Sequence, residues 1–218
     1  GMMYLVMELV EGDTLKQHVL KHGPLSIKDF MLVSKQLVGA LLEAHQQKVI
    51  HRDIKPSNVL LRNRQGKLFS KLIDFGLVKN LSQSIDLSMT GAIMGSPLYM
   101  APEQLLSAPV DDRTDIYALG LMFYFLLTGL PPFAAKEMMA VFRCQIDEDP
   151  KSMIAVRPEL AGYPNLCWMV ETMYQKKAEE RFQNVEQLTE ALAYIEKHMI
   201  SGGTLNLSLS HGQLVYSA

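Results

Sequence analysis

Three short stretches carry the side chains best suited to chemistry: His51-Arg52-Asp53-Ile54-Lys55-Pro56-Ser57-Asn58, Asp74-Phe75-Gly76 and Ala101-Pro102-Glu103. Asp53, Asn58 and Asp74 offer hard oxygen atoms, the donors that Mg²⁺ prefers. A carboxylate such as Asp53 can also accept or orient a proton. Taken singly, each group has a plainer explanation: Asp74 a surface acid, His51 a satisfied core histidine, Arg52 a solvated charge. The order and spacing of all three stretches together make chance a poor account. His18 and His22 stand four apart on a helical stretch, a spacing that can bind metal, but no third ligand accompanies them. Cys144 and Cys167 are far apart and outside any C-x-x-C spacing, which disfavours a zinc site or disulfide framework and suits a reducing cytoplasm.

The elements that must position these groups follow from periodicity and caps. Residues 2–10 read as an apolar strand ended by Glu11-Gly12-Asp13. Thr14 caps a short helix that stops near Gly23-Pro24, and Ser26 starts another, with Asp29 three residues on. Phe30, Val33, Leu37, Leu41 and Leu42 keep helical spacing to about Gln47. Short β-like pieces are expected at 48–50, 58–61 and 68–73, with a polar turn from Arg62 to Gly66. Residues 77–100 are long and irregular, as functional or mobile segments are. Helices are expected at 113–128, 136–147, 164–175 and 184–197, and the tail alternates as a small hairpin turning at His211-Gly212. The fold class is mainly α with minor β.

Composition narrows the partners. Apolar residues make up 48% and charged residues 20%, ordinary for a globular domain, and the net charge of −2 gives no basic field for nucleic acid. The longest apolar stretch, Ile116 to Leu127, is too short to cross a bilayer and reads as a buried helix.

The three stretches, in this order, resemble the protein kinase family: an H-R-D-x-x-x-x-N loop, a D-F-G metal site and an A-P-E anchor. The resemblance covers roughly residues 4–197 and implies the larger C-terminal lobe of a serine/threonine kinase of the bacterial branch. Its chemistry would be phosphoryl transfer from Mg-ATP to serine or threonine of a protein substrate, which needs positioning and charge neutralisation more than covalent help. By that resemblance Asp53 is the catalytic base, Lys55 touches the transferred phosphate, and Asn58 and Asp74 hold Mg²⁺. Ser96 stands where such kinases usually carry a threonine bonded to the base. His51, Phe75 and Gly76 are structural. Arg52 pairs with a phosphate on the loop, for which Thr90 is the favoured acceptor. Asp115 holds the catalytic-loop backbone, although Tyr117 and Ala118 replace the usual tryptophan and serine. Arg181 pairs with Glu103.

The same resemblance makes residues 4–15 the hinge, with Met7 as gatekeeper, Glu8 and Val10 at the adenine edge and Leu60 as the pocket floor. It divides the chain into a hinge and last small-lobe strand (2–13), a C-terminal lobe (14–198) and an extension (199–218). No G-x-G-x-x-G and no V-A-I-K-like strand occurs in the 218 residues, so the N-terminal lobe is expected to be absent and the isolated chain nearly inactive. Strand 2–8 would then lack its partner sheet and could fray, pair with a second copy or be covered by the tail. The competing reading is a one-lobed, non-catalytic remnant that docks proteins.

Overall fold

The computed structural model describes residues 8, 11–75, 97–133, 135, 137–201, 206–210 and 212–217. Met7, Val10, Gly76, Thr90 and Ser96 lie outside the described residues, as does most of the expected strand 2–10.

A two-residue strand, β1 (Asp13–Thr14), runs straight into α1 (Leu15–His22). Thr14 and Gln17 form a reciprocal cap: Thr14 Oγ1 accepts from the Gln17 N–H at 3.2 Å, and Gln17 Oε1 accepts from the Thr14 N–H at 2.8 Å. Ser26 caps α2 (Ile27–Gln46) by accepting from the Asp29 N–H at 3.1 Å. The buried face of α2 includes Phe30, Val33, Leu37, Leu41 and His45, at helical spacing. Two further strands, β2 (Val59–Arg64) and β3 (Lys67–Leu72), form a hairpin in a sheet of order β1-β2-β3. Thr14 pairs opposite Leu60, and Asp13 opposite Leu61. Gly12 permits this approach: its φ is 148°, and a Cβ there would lie 2.4 Å from the Leu61 carbonyl oxygen.

The rest is helical: α3 (Pro102–Leu105), α4 (Asp112–Thr128), α5 (Met138–Asp147), α6 (Met153–Val156), α7 (Pro164–Met173) and α8 (Val185–Ser201). Every residue of α4 from Thr114 to Thr128 is buried, so this helix is the axis around which α2, α6 and α7 pack. Its start is capped by Asp111, which accepts from the Arg113 N–H at 2.9 Å, and its end by Gly129 in the left-handed region at φ 75°. The chain closes with the antiparallel pair β4 (Asn206–Ser210) and β5 (Gln213–Ser217), laid against α7 and α8.

Three differences from the sequence reading stand beside one agreement. Residues 48–50 form no strand; Lys48 takes φ 60° and the Val49 N–H returns to the Ala44 carbonyl at 2.9 Å, which is a helix-ending turn. The turn between β2 and β3 is only Gln65-Gly66, because pairing continues through Arg62 opposite Phe69 and Arg64 opposite Lys67. The short helices α3 and α6 carry too few residues to show a period. The tail forms the expected hairpin, and it rests on helices: Leu207 is buried, and its N–H donates to Asn165 Oδ1 at 3.3 Å.

Candidate active site

The connection between α2 and β2 carries the first motif. Asp53 lies at its centre. Lys55 Nζ donates to Asp53 Oδ2 at 2.8 Å, and Asn58 Nδ2 donates to the Asp53 carbonyl at 2.9 Å and to Oδ2 at 3.0 Å. Lys55, Asp53 and Asn58 are thus one cluster, made compact by the 3₁₀ turn Pro56–Asn58. With both amide hydrogens of Asn58 facing Asp53, its Oδ1 is the oxygen left as an acceptor.

The D-F-G stretch is tied to this cluster by its preceding residue. The Ile73 N–H donates to the Asn58 carbonyl at 2.9 Å, and His51 Nε2 donates to the Ile73 carbonyl at 3.0 Å. His51 Nδ1 accepts from the Asp53 N–H at 3.3 Å, so its neutral tautomer is fixed with hydrogen on Nε2. Burial pushes the His51 imidazole below the usual histidine range, with Asp115 and the Ile73 carbonyl pulling the other way. The Phe75 ring packs on His51 at 4.6 Å between centroids. Asp74 is exposed and takes φ 58°, in the left-handed region. A carboxylate and an amide oxygen are hard donors of the kind that suits a Mg²⁺ ion keeping waters and phosphate oxygens as its other ligands.

Asp115, on the first turn of α4, holds the loop from below. Its Oδ2 accepts from the His51 N–H at 2.7 Å and its Oδ1 from the Arg52 N–H at 2.8 Å. Arg52 is itself strained, at φ 62°. On the far side, Arg181 pairs with Glu103 at 2.7 Å. Leu60 sits half-buried on β2, opposite Lys71. The carboxylate of Glu8 is bonded to Lys71, whose hydrogen bond and charge hold it below the usual range. The structure therefore gathers His51, Arg52, Asp53, Lys55, Asn58, Ile73, Phe75 and Asp115 in one connected network, with Glu103 and Arg181 paired with each other outside it.

The family comparison agrees with this arrangement: the family model for the protein kinase domain matches residues 1–200. The chain belongs to the protein kinase domain family. It is 32% identical over 194 residues to the serine/threonine-protein kinase PkaA of Streptomyces coelicolor, covering 89% of this chain and 34% of that protein. It is 40% identical over 138 residues to the serine/threonine-protein kinase PrkC of Bacillus subtilis, covering 63% of this chain and 21% of that protein. The crystal structure of the Mycobacterium tuberculosis PknI kinase domain superposes with a TM-score of 0.64 at 28% identity, covering 87% of this chain and 64% of that one. This kinase-family chain thus spans about a third or less of the length of these curated relatives.

Sequence reasoning missed three residues that tie these segments together. His45 Nε2 donates to Asp115 Oδ2 at 2.9 Å; its place on the apolar stripe of α2, four residues after Leu41, was the available signal. Gln104 Nε2 donates to the Arg52 carbonyl at 3.2 Å. Gln145, fully buried on α5, donates to the Pro97 and Leu98 carbonyls at 3.2 and 2.7 Å and accepts from the Tyr117 hydroxyl at 2.6 Å.

Proposed function

We propose that this chain is the catalytic C-terminal lobe of a serine/threonine protein kinase that transfers the γ-phosphoryl group of ATP to a protein hydroxyl. The observation that supports this most is the cluster of Asp53, Lys55 and Asn58, with the Asn58 carbonyl accepting from Ile73, the residue before Asp74. The substrate hydroxyl oxygen forms a bond to the γ-phosphorus while the bond to the β–γ bridging oxygen breaks, and ADP leaves. Asp53 receives the hydroxyl proton. Lys55 steadies the Asp53 carboxylate and brings positive charge to the phosphoryl oxygens. Asn58 Oδ1 and Asp74 would hold Mg²⁺, which neutralises phosphate charge when bound.

The remaining roles rest on the family resemblance. Met7, Glu8, Val10 and Leu60 frame adenine, Ser96 supports the base, and Arg52 meets a phosphate on Thr90. The partner is a protein carrying serine or threonine, and the two well-separated cysteines, Cys144 and Cys167, suit a cytoplasmic setting. Among the described residues no helix is long and apolar enough to cross a membrane. By itself the chain has negligible activity, because its sequence holds no glycine-rich phosphate loop.

Phosphate transfer from Mg-ATP to a serine-containing protein tests both parts. The 218-residue chain should show almost none, and the chain with its upstream reading frame restored should show transfer abolished by Asp53→Asn. Transfer by the restored protein that survives Asp53→Asn would sink the assignment, and ordinary kinase rates from the chain alone would refute the predicted inactivity.

A further inference from the structure

Gln104 does two things with one amide. Its Oε1 accepts from the Ala101 N–H at 3.0 Å, closing the first turn of α3, and its Nε2 donates to the Arg52 carbonyl at 3.2 Å. The second bond is not needed to cap α3. It reaches across to the loop that carries Asp53, and it lands on a residue in a costly conformation, since a bulky side chain at φ 62° is held only by its surroundings. Asp115 grips the peptide before Arg52, through the Arg52 N–H at 2.8 Å. Gln104 grips the peptide after it. That second peptide is planar, so its carbonyl direction also sets the direction of the Asp53 N–H and the position of the Asp53 Cα.

We propose that Gln104 is a positioning residue for Asp53, coupling the Ala101-Pro102-Glu103 anchor to the acid-bearing loop through the Arg52 carbonyl. The inference deepens the kinase reading and rests on it for its catalytic consequence. The uncharged amide supplies an acceptor oxygen and a separate donor nitrogen at once, which a carboxylate of the same length does not. A helix cap alone would be served as well by glutamate, whose carboxylate accepts from the Ala101 N–H and suits a helix N-terminus. A clamp on Arg52 would not, because glutamate turns an acceptor towards the carbonyl.

Gln104→Glu and Gln104→Met separate these roles. Amide hydrogen exchange of the 218-residue chain supplies the first readout, independent of activity. Both variants should speed exchange at Arg52 and Asp53 by about tenfold, while core amides of α4 and α7 keep their protection. Exchange in Gln104→Glu equal to that of the unaltered chain would show a cap and nothing more, overturning the proposal. The second readout is phosphate transfer by the protein with its upstream reading frame restored. Gln104→Glu should lower kcat by about 10²-fold with KM for ATP and peptide little changed. An unchanged kcat alongside faster loop exchange overturns the positioning role. Asp53→Asn, run in parallel, reports on the kinase reading itself: if no transfer depends on Asp53, that reading fails, while the exchange data still decide whether Gln104 clamps the loop.

Discussion

Arg181 grips Glu103 in a two-pronged pair, Nη1 to Oε1 at 2.7 Å and Nη2 to Oε2 at 2.9 Å, across 78 residues of sequence. The guanidinium spends its other hydrogens on main-chain carbonyls: Nε on Gln175 at 2.7 Å, Nη1 on Arg113 at 3.0 Å and Nη2 on Lys176 at 2.9 Å. It also lies 4.8 Å from the centre of the Tyr117 ring. Arg181 is wholly buried, so its charge is tolerated only because every donor is used. Through it α3, the start of α4 and the turn after α7 are held as one body.

Arg181→Met should therefore be among the most damaging single changes. It leaves the Glu103 carboxylate without its guanidinium partner and takes one donor from each of three carbonyls. Breaking a buried pair by removing one member costs about 3–5 kcal/mol. Urea unfolding of the chain should show a loss of that size. A loss below about 1 kcal/mol, the scale of an exposed pair, would mean that the pair is solvated and does not anchor the lobe.

Glu103 also gives the fold an acid limit. Burial on its own would raise its pKa, but the hydrogen bonds and charge of Arg181, with Thr114 Oγ1 donating at 2.8 Å, bring it below the usual glutamate value of 4.5. A depressed folded pKa means that this stabilisation is fully present above the unfolded pKa and is lost as pH falls through the folded one. Melting temperature should drop as pH is lowered below about 4.5, and Glu103→Gln should show a shallower drop. Parallel curves for the two proteins would remove Glu103 from the account.

Lys176 sets a trend of the same sign in alkali. Its ammonium donates to the Cys144 and Gln145 carbonyls, both at 3.0 Å, and lies 4.6 Å from the centre of the Phe133 ring. Burial pushes its pKa down from 10.5 to about 8, against the pull of Asp149. Between those two values the unfolded lysine binds a proton that the folded one has released, so this group adds stability as pH rises from about 8 to 10. Tyr99, Tyr117, Tyr174 and Cys167 work the other way, since burial raises each of them. The net curve hides the lysine, and the difference between the chain and Lys176→Met exposes it. That difference should move in favour of the chain as pH rises through 8; a constant difference would place the ammonium in an environment like water.

What the sequence made legible was local or shared with a family. Thr14 and Ser26 announced their helices because a cap is a relation between residues three apart. The Asp53, Asn58 and Glu103 placements came through motif order. Val49 misled because an apolar residue beside Ile50 looks like a strand, and nothing in that spelling tells that Lys48 turns left-handed. Gln104 and Gln145 were illegible for another reason. Both spend their amides on main-chain carbonyls, Arg52 in one case and Pro97 and Leu98 in the other. A carbonyl has no letter in a sequence, so a side chain chosen to meet one reads as an ordinary polar residue until the fold brings the two together.

The same glycine-to-alanine change should have opposite signs at two helical positions. Alanine is favoured over glycine in a helix interior by about 0.8–1 kcal/mol. At Gly39, exposed on α2, an added Cβ meets nothing within 4 Å, so Gly39→Ala should stabilise by about that amount. At Gly120, on α4, the added Cβ would lie 2.6 Å from Met173 Cβ and 3.2 Å from two main-chain atoms of residues 173 and 174. Overpacking of this kind costs about 1–3 kcal/mol, which cancels or outweighs the propensity gain, and separations this short put the cost at the upper end. Gly120→Ala should therefore destabilise the chain in urea, by forcing α4 and α7 apart. Shortening Met173 to alanine should give no relief, since the obstructing atoms are its Cβ and main chain. Recovery of stability in Gly120→Ala with Met173→Ala would mean that the outer part of the methionine, not the closeness of the two helices, sets the limit at this crossing.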